Sequence, residues 1–230
     1  MSRAAPGTAS PRLRAVIYDL DGLLIDSEPC WMQAETEVLA EVGVPLDIER
    51  CQETTGLRLD EVVAYWSARY PWTGVSREEV GQRILRRVLA LLAERAPLKP
   101  GARESLAAVR RAGLRVAVAS SSPLLLIEEA LSRVGLQGTF EQVVSAEGER
   151  FGKPHPGVYL TTAARLRVDA NACLALEDSV NGILSARAAG MRCIAVPERW
   201  PVRDPRFSNA HVVVRSLLDV DAALLTREGA

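Results

Sequence analysis

The 230-residue chain lacks the sequence features of a membrane, secreted or nucleic-acid-binding protein. No apolar run is long enough to span a bilayer, and the small, polar start of the chain has no apolar signal-peptide core. The 28 lysines and arginines nearly balance the 29 aspartates and glutamates, so no bulk field favours nucleic acid or an anionic membrane. We therefore expect no nucleic-acid partner, no membrane partner and a disordered tail over residues 1–11.

Cysteine is scarce, and its spacing excludes the usual zinc and redox motifs. The four cysteines (Cys30, Cys51, Cys173 and Cys193) form no C-x-x-C pair and have no metal-ligand spacing. This usage is typical of a reducing compartment, so we expect a cytoplasmic protein. No G-x-G-x-x-G follows the first predicted strand, which disfavours a nucleotide-binding dehydrogenase.

The stretch from Asp19 to Ser27 organises the rest of the chain. It follows Ala15–Tyr18, an apolar run typical of a buried strand in a parallel sheet. Residues i and i+2 of an extended chain point to the same side, so Asp19 and Asp21 place two carboxylates together past the strand end. Because two such anions repel, the arrangement requires a cation, a shared proton or both. Gly22 lets the chain leave the strand in a conformation that other residues resist.

The periodicity of apolar residues divides the chain into a helical block and an alternating block. Residues 28–97 have helical spacing throughout, whereas strand candidates recur at 15–18, 114–119, 143–144, 173–176, 193–196 and 212–214. Helical segments separate most of these strands, which predicts an α/β fold with a doubly wound parallel sheet. The simplest organisation is a core of residues 12–27 and 98–230, with an α-helical cap, residues 28–97, inserted above the carboxyl ends of the strands. Ligands bind at those ends in such folds.

Two further segments that follow predicted strands carry groups suited to an anion. Ser120, Ser121 and Ser122 end one strand, and Ser122-Pro123 has the pattern of an N-cap followed by proline at the first helical position. A helix N-terminus with free N–H groups and hydroxyls binds anions, and one cap explains one serine rather than three. Lys153 follows another strand between Gly152 and Pro154; alone, it would be interpreted as a solvated surface lysine.

A third strand end supplies acidic groups. Glu177 and Asp178 follow the strand at 173–176, and either Asp178 or Ser179 could simply cap the next helix. Together with Asp19, these carboxylates form a set of hard oxygen ligands suited to Mg²⁺. Asn181-Gly182 early in that helix is locally unfavourable and indicates backbone close to a ligand.

These groups together match what a phosphate ester requires. A carboxylate can attack phosphorus to give an aspartyl-phosphate, provided that Mg²⁺ and a lysine offset the repulsion between two anions. Asp21 can give a proton to the leaving alkoxide and then take one from the water that hydrolyses the intermediate.

The ordered motifs Asp19-x-Asp21, Ser120, Lys153 and Glu177-Asp178 resemble those of the haloacid dehalogenase superfamily of phosphatases. The resemblance covers nearly the whole chain from residue 12, and the helical insert looks like the small cap of the β-phosphoglucomutase-like branch. It implies that Asp19 is the nucleophile, that Asp21 is the general acid and base, and that the serine motif and Lys153 bind the phosphoryl group.

The same resemblance implies a metal site and a substrate class. Mg²⁺ would be held by Asp19, the backbone carbonyl of Asp21 and Asp178, with Glu177 nearby. The partner would be a small phosphorylated metabolite, a sugar or sugar-alcohol phosphate, and the chain a monomer or weak dimer.

The chain departs from the mutases of that branch in two places. Trp31 stands where they have a cap histidine, and Pro123 stands where they have a lysine after the serine motif. Both departures favour hydrolysis over a sugar-phosphate mutase, which remains the alternative; a non-catalytic phospho-acceptor or binding module is the alternative of another class. Trp31 and Arg58 are expected to lie over the leaving group, and Trp66 and Trp72 either wall the site or form the core of the cap.

Overall fold

A six-stranded parallel sheet forms the centre of the computed structural model, which describes residues 12–95, 97–198 and 200–226. The strands are β1 (Ala15–Tyr18), β2 (Arg115–Ser120), β3 (Gln142–Ser145), β4 (Cys173–Glu177), β5 (Arg192–Ala195) and β6 (Val212–Val213), in the order β3-β2-β1-β4-β5-β6. The predicted tail, residues 1–11, lies outside the described residues. β1 pairs with β2 on one side and β4 on the other, so the chain reverses its direction of winding at β1.

Nine α-helices in the described part of the chain surround or cap this sheet. They are α1 (Glu28–Glu41), α2 (Ile48–Cys51), α3 (Leu59–Arg69), α4 (Arg77–Glu94), α5 (Ala102–Arg111), α6 (Leu124–Arg133), α7 (Gly157–Leu166), α8 (Val180–Ala188) and α9 (Ala222–Thr226). The strand positions agree with the sequence prediction to within one or two residues at most ends.

Side chains of β1 alternate between two apolar clusters, one on each face of the sheet. Val16 and Tyr18 pack in a cluster with α5, α6 and α9, whereas Ala15 and Ile17 pack in a cluster with α7 and α8. Alternate residues of a strand point to opposite faces, so a strand that is apolar at every position must be covered on both. The predicted doubly wound α/β fold is confirmed.

Helices α1 to α4 form a third apolar cluster, with Trp66 fully buried inside it, to which α6 of the core contributes Leu126. Ser76 is the N-cap residue of α4, because its hydroxyl accepts a hydrogen bond from the Glu79 amide. The Glu79 carboxylate pairs with Arg83 one turn later. This cluster fits the predicted cap, although the domain boundaries themselves stay a prediction.

The two segments that join these helices to the sheet lie side by side. The amide of Asp26 donates to the carbonyl of Pro97, and the amide of Lys99 donates to the carbonyl of Leu24. A bridge between Ile25 and Leu98 continues this pairing. The two crossings therefore meet at one place; Ala96, in the second crossing, is outside the described residues.

The start of α6 differs from the prediction by one residue. Pro123 is the N-cap residue rather than the first helical residue, and the structure shows no side-chain cap. The Ser122 hydroxyl donates instead to Asp21, 2.7 Å away, and is therefore not available as a helix cap.

Candidate active site

Most of the predicted site residues, with the exception of Arg58 and Glu177, meet at the carboxyl ends of β1, β2 and β4, beneath the cap. They line a cavity of about 60 Å³ together with side chains of α1 and of the segment from Cys51 to Val62. The core residues that line it are Asp19, Asp21, Ser120, Ser121, Ser122, Lys153, Asp178 and Ser179. This cavity is far smaller than the roughly 300–1,000 Å³ of typical ligand sites, so the cap is closed on the core.

Gly22 brings the loop after β1 close to the end of β4. Its φ of 75° lies in the left-handed region that favours glycine. A Cβ atom at this position would overlap the carboxylate of Asp178. Glycine is therefore required both for the turn and for the close approach of Asp178 to the aspartates that follow β1.

Lys153 joins two of the buried carboxylates. Its Nζ lies 2.6 Å from Asp19 Oδ1 and 2.6 Å from Glu177 Oε1, and it also donates to the carbonyl of Ala119. Burial lowers the pKa of Lys153, but Asp19 and Glu177 more than offset this effect and raise the pKa above its usual range. Lys153 is thus a buried, permanently charged ammonium group at the site and not a surface lysine.

The acidic groups outnumber this single cation. Burial raises the pKa of Asp19 to about 8, with Lys153 opposing the shift and Glu177 and Asp21 adding to it. Burial also raises the pKa of Asp178 well above its usual range, and Asp19 and Glu177 raise it further. One oxygen from each of Asp19, Glu177 and Asp178 falls within a group whose members lie within 4.8 Å of one another. Such a set of buried hard ligands fits a divalent cation like Mg²⁺.

Glu177 belongs to this acidic group, yet its oxygens are already engaged by neighbouring donors. Oε1 accepts from Lys153 and from the Tyr159 hydroxyl, 2.6 Å away, and Oε2 accepts from the Ser179 hydroxyl. The carboxylate packs against Gly182, where any Cβ would overlap it. Gly182 therefore makes room for Glu177 and not for a ligand, and Glu177 holds Lys153 in position.

Asp21 accepts four hydrogen bonds and connects the core to the cap. Oδ1 accepts from the Ser27 hydroxyl at 2.7 Å and from Trp31 Nε1 at 3.1 Å. Oδ2 accepts from the hydroxyls of Ser120 at 3.2 Å and Ser122 at 2.7 Å. Four donors hold the Asp21 carboxylate in a fixed orientation.

The three cap tryptophans have different environments. Trp31 lines the cavity and reaches Asp21, as expected for a residue over the leaving group. Trp66 and Trp72 belong to the apolar cluster of the cap, and neither lines the cavity. Of the two interpretations open for these residues, the core of the cap is the one that the structure supports.

Arg58 lies in the interface between cap and core, away from the small cavity. Its Nη1 donates to the carbonyls of Glu149, at 2.8 Å, and Ala146, at 3.2 Å, and its Nε and Nη2 pair with Asp60. Ser121 makes a related contact, since its hydroxyl donates to the carbonyl of Gly56. These contacts hold cap and core together; binding of substrate by Arg58 stays a prediction.

Two buried glutamates of α1 were missed from the sequence. Glu28 and Glu35 are 9% and 7% exposed, and both line the cavity. They lie seven residues apart with Trp31 between them, a spacing that places all three on one helical face. Helical periodicity identifies this face of α1, but a pattern of apolar residues does not mark the two carboxyl groups that lie on it.

Comparison with known proteins agrees with this geometry. A model of the family described as haloacid dehalogenase-like hydrolase matches residues 13–190. Hexitol phosphatase B of Escherichia coli (strain K12) is 48% identical over 218 residues, which cover 93% of this chain and 97% of that protein. β-Phosphoglucomutase of Bacillus subtilis is 28% identical and covers 94% of this chain and 95% of its own length.

Solved structures share the fold. CbbY from Rhodobacter sphaeroides, in complex with phosphate, has a TM-score of 0.80 at 27% identity over 90% of this chain and 96% of that chain. The motifs at residues 19–29, 56–58, 153–156 and 176–182 had indicated a bacterial hexitol phosphatase, also called 2-deoxyglucose-6-phosphatase, and this resemblance is confirmed. No helix within the described ranges is long and apolar enough to cross a membrane.

Proposed function

We propose that this chain hydrolyses monophosphates of small sugars or sugar alcohols with the help of Mg²⁺. The chain belongs to the haloacid dehalogenase-like hydrolase family and is a phosphatase. The observation that carries the proposal is the buried Asp19–Lys153 pair, with Asp178 beside it, in a closed cavity under the cap. The 48% identity to hexitol phosphatase B supports the substrate class.

In the proposed reaction Asp19 attacks the phosphorus atom with the carboxylate oxygen that Lys153 does not hold. The new bond joins Asp19 to phosphorus, and the bond from phosphorus to the leaving oxygen breaks, which gives an aspartyl-phosphate. Lys153 offsets part of the charge of the transferring group. The seryl hydroxyls of Ser120 and Ser121, at the end of β2, would bind the phosphoryl oxygens after turning from their present acceptors.

Asp21 is proposed to move the protons. It gives one to the leaving oxygen, so that a neutral alcohol departs, and takes one from the water that attacks the aspartyl-phosphate. That second step releases phosphate and restores Asp19. The four hydrogen bonds that Asp21 accepts hold its carboxyl group in one orientation, which the transfer of both protons requires.

The residues present fit the proposed metal. Asp19, Asp178 and the backbone carbonyl of Asp21 would hold Mg²⁺, and a bound Mg²⁺ would offset the negative charge of the ester and polarise it. The raised pKa values of Asp19 and Asp178 support this assignment, because buried carboxylates that repel one another are stabilised by a cation. Glu177 is left to hold Lys153.

We further propose that the cap opens to admit the substrate and closes over it, with hinges near residues 27–29 and 96–98. The cavity of about 60 Å³ supports this, because a hexose-sized ester cannot enter it from outside while the cap is closed. Closure excludes bulk water, and brings Trp31 over the leaving group. The four buried free thiols support a reducing, cytoplasmic location.

A screen of sugar and polyol phosphates with Mg²⁺ tests the proposal. We expect kcat/KM for a hexitol or hexose 6-phosphate to exceed that for a phosphopeptide by orders of magnitude, because the cap can close again over a small ester but not over a peptide. Equal hydrolysis of the peptide would contradict selection by the cap. Phosphorus NMR of a hexose phosphate reaction should show inorganic phosphate; an isomeric sugar phosphate instead would establish the mutase alternative.

A further inference from the structure

A buried carboxyl group of the cap faces the cavity without a partner. Glu35 is 7% exposed and lines the cavity, and its Oε2 has no hydrogen-bond partner among the described residues. A buried polar atom without a partner is costly, and natural proteins leave few of them. Burial alone raises the pKa of Glu35 to about 8. The group therefore destabilises the closed fold and calls for a role in binding.

The position of Glu35 on α1 relates it to one end of the substrate. Trp31, one turn earlier on the same face, donates to Asp21 next to the attacking residue. One helical turn rises about 5–6 Å along the axis of α1. Besides burial, Asp21 and Asp19 contribute to the raised pKa of Glu28, whereas burial alone raises the pKa of Glu35, so Glu35 lies farther than Glu28 from these aspartates. This distance places Glu35 beside the leaving group of the ester and away from its phosphoryl end.

The described cap residues that line the cavity, here called the cap wall, carry no positive charge that could pair with a second anionic group of the substrate. The described cap residues that line the cavity include the two acids Glu28 and Glu35 but no lysine or arginine. The one cation of the cavity, Lys153, is held by Asp19 and Glu177 at the phosphoryl end. A leaving group with its own phosphate or carboxylate would be buried here without a partner, at a large cost in free energy.

From these observations we infer that Glu35 is a specificity residue that hydrogen-bonds hydroxyl groups of an uncharged, hydroxyl-bearing leaving group. The inference rests on the proposed function and narrows it to monophosphates of neutral polyols or sugars. A carboxyl group that holds its proton can accept a hydrogen bond from one hydroxyl and donate to a second, so a vicinal pair of hydroxyls can satisfy both of its oxygens. A leaving group without hydroxyls would leave Oε2 unpaired, and therefore bind less well.

The test compares the wild type with Glu35→Leu and Glu35→Gln on three esters: a hexitol 6-phosphate, its analogue with deoxygenated carbons far from the ester, and p-nitrophenyl phosphate. For Glu35→Leu we expect kcat/KM for the hexitol phosphate to fall about 10- to 100-fold, mainly through KM. Glu35→Gln should recover part of this loss, because the amide keeps one acceptor oxygen. The deoxy analogue and p-nitrophenyl phosphate should change by less than about threefold, since they make no such bond.

Glu37→Gln is the matched control. Glu37 is on the same helix but exposed, and it pairs with Arg87 on the surface of the cap. We expect wild-type kinetics from it on all three esters. A thermal unfolding curve for each variant separates a loss of binding from a loss of folded protein.

The outcomes separate this inference from the function on which it rests. No hydrolysis of any polyol phosphate by the wild type would overturn the proposed function. If the wild type hydrolyses the hexitol phosphate efficiently but Glu35→Leu loses activity equally on all three esters, or loses none, the role of Glu35 alone is overturned.

The absence of a cation on the cap wall is tested separately. A hexose bisphosphate should have at least about a 100-fold lower kcat/KM than the monophosphate, and equal values would overturn this part of the inference.

Discussion

The two walls of the cavity differ in how their charged groups are satisfied. On the core wall, Lys153 lies 2.6 Å from both Asp19 and Glu177, and Asp21 accepts four hydrogen bonds. On the cap wall, Glu35 has an oxygen without any partner in the described chain. The core wall is thus organised before any ligand arrives, whereas the cap wall leaves an acceptor available.

This difference assigns a different task to each wall. Preorganised charges at the reacting atoms stabilise a transition state whatever the leaving group is. A free acceptor farther from the reacting atoms contributes only when the leaving group supplies a donor. Changes to the core wall should therefore lower the rate for every ester, while changes to the cap wall should discriminate among esters.

The largest effect should come from Asp19→Asn. An amide oxygen is a poor nucleophile, so we expect kcat to fall by about 10⁴- to 10⁶-fold for all esters. Near wild-type turnover by Asp19→Asn would rule out Asp19 as the nucleophile, and would transfer that role to another carboxylate of the core wall.

Asp21→Asn should lower kcat by roughly 10²- to 10⁴-fold and still form some phospho-enzyme, which acid-quenched labelling would detect.

Removal of divalent metal should be comparable in size. We expect EDTA to reduce the activity on every ester to background and excess Mg²⁺ to restore it, because Asp19 and Asp178 then face the ester with only Lys153 to offset their charge. Ca²⁺ should inhibit, since its larger and looser coordination disturbs in-line attack. Full activity in the chelator would contradict the metal assignment while leaving the nucleophile assignment intact.

The core wall could be predicted from the sequence because its residues follow strands. Parallel strands bring their carboxyl ends to one edge, so locating the strands was enough to bring Asp19, Ser120 and Asp178 together. The apolar, β-rich runs of β1 and β4 are short-range signals that survive folding unchanged. The resemblance to the family and the α/β class were confirmed on the same grounds.

The cap wall could not be predicted in the same way, because its contacts depend on how helices pack against the core. The guanidinium of Arg58, for instance, donates to the carbonyls of residues 146 and 149, about ninety positions along the chain, a contact that no local pattern indicates; its predicted place over the leaving group stays a prediction. Two details of the core also depend on tertiary contacts: Gly182 indicated a ligand, but its lack of a side chain makes room for Glu177. The Ser122 hydroxyl bonds to Asp21 rather than capping α6, a choice fixed by tertiary contact and not by local pattern.

Arg58→Ala tests the contact between the two walls. Loss of its bonds to the Ala146 and Glu149 carbonyls should favour the open cap and lower kcat/KM by about tenfold on all small esters, including p-nitrophenyl phosphate. Arg86→Ala is the control, since Arg86 is an exposed residue of α4 that pairs with Glu79 on the surface of the cap. A loss confined to the hexitol phosphate would show that Arg58 binds the leaving group, as the sequence predicts.

The smallest effect concerns the stability of the closed cap and its dependence on pH. Burial raises the pKa of Glu35 from 4.5 in the unfolded chain to about 8 in the folded one. Below pH 4.5 both states hold the proton, so Glu35 has no influence on the free energy of unfolding. Between pH 4.5 and 8 the unfolded chain releases a proton that the folded chain keeps, and Glu35 therefore destabilises the fold increasingly as the pH rises.

Glu35→Leu should remove that contribution and leave the others. Glu28 faces the same cavity, and burial, together with Asp21 and other acids, raises its pKa to about 8. The free energy of unfolding of Glu35→Leu therefore still depends on pH through Glu28. The buried Cys51 thiol, also near Glu35, has a pKa raised to about 12 and does not titrate in this range.

We expect urea unfolding to show Glu35→Leu more stable than the wild type at pH 7.5, by a margin that shrinks towards pH 5. Glu37→Gln, whose carboxylate has a pKa lowered by hydrogen bonds from Arg87 and Gln33, should show no such gain. If Glu35→Leu loses its hexitol phosphate activity and gains no stability at pH 7.5, then Oε2 is paired in the folded protein in solution, and the contrast between the two walls fails at this residue.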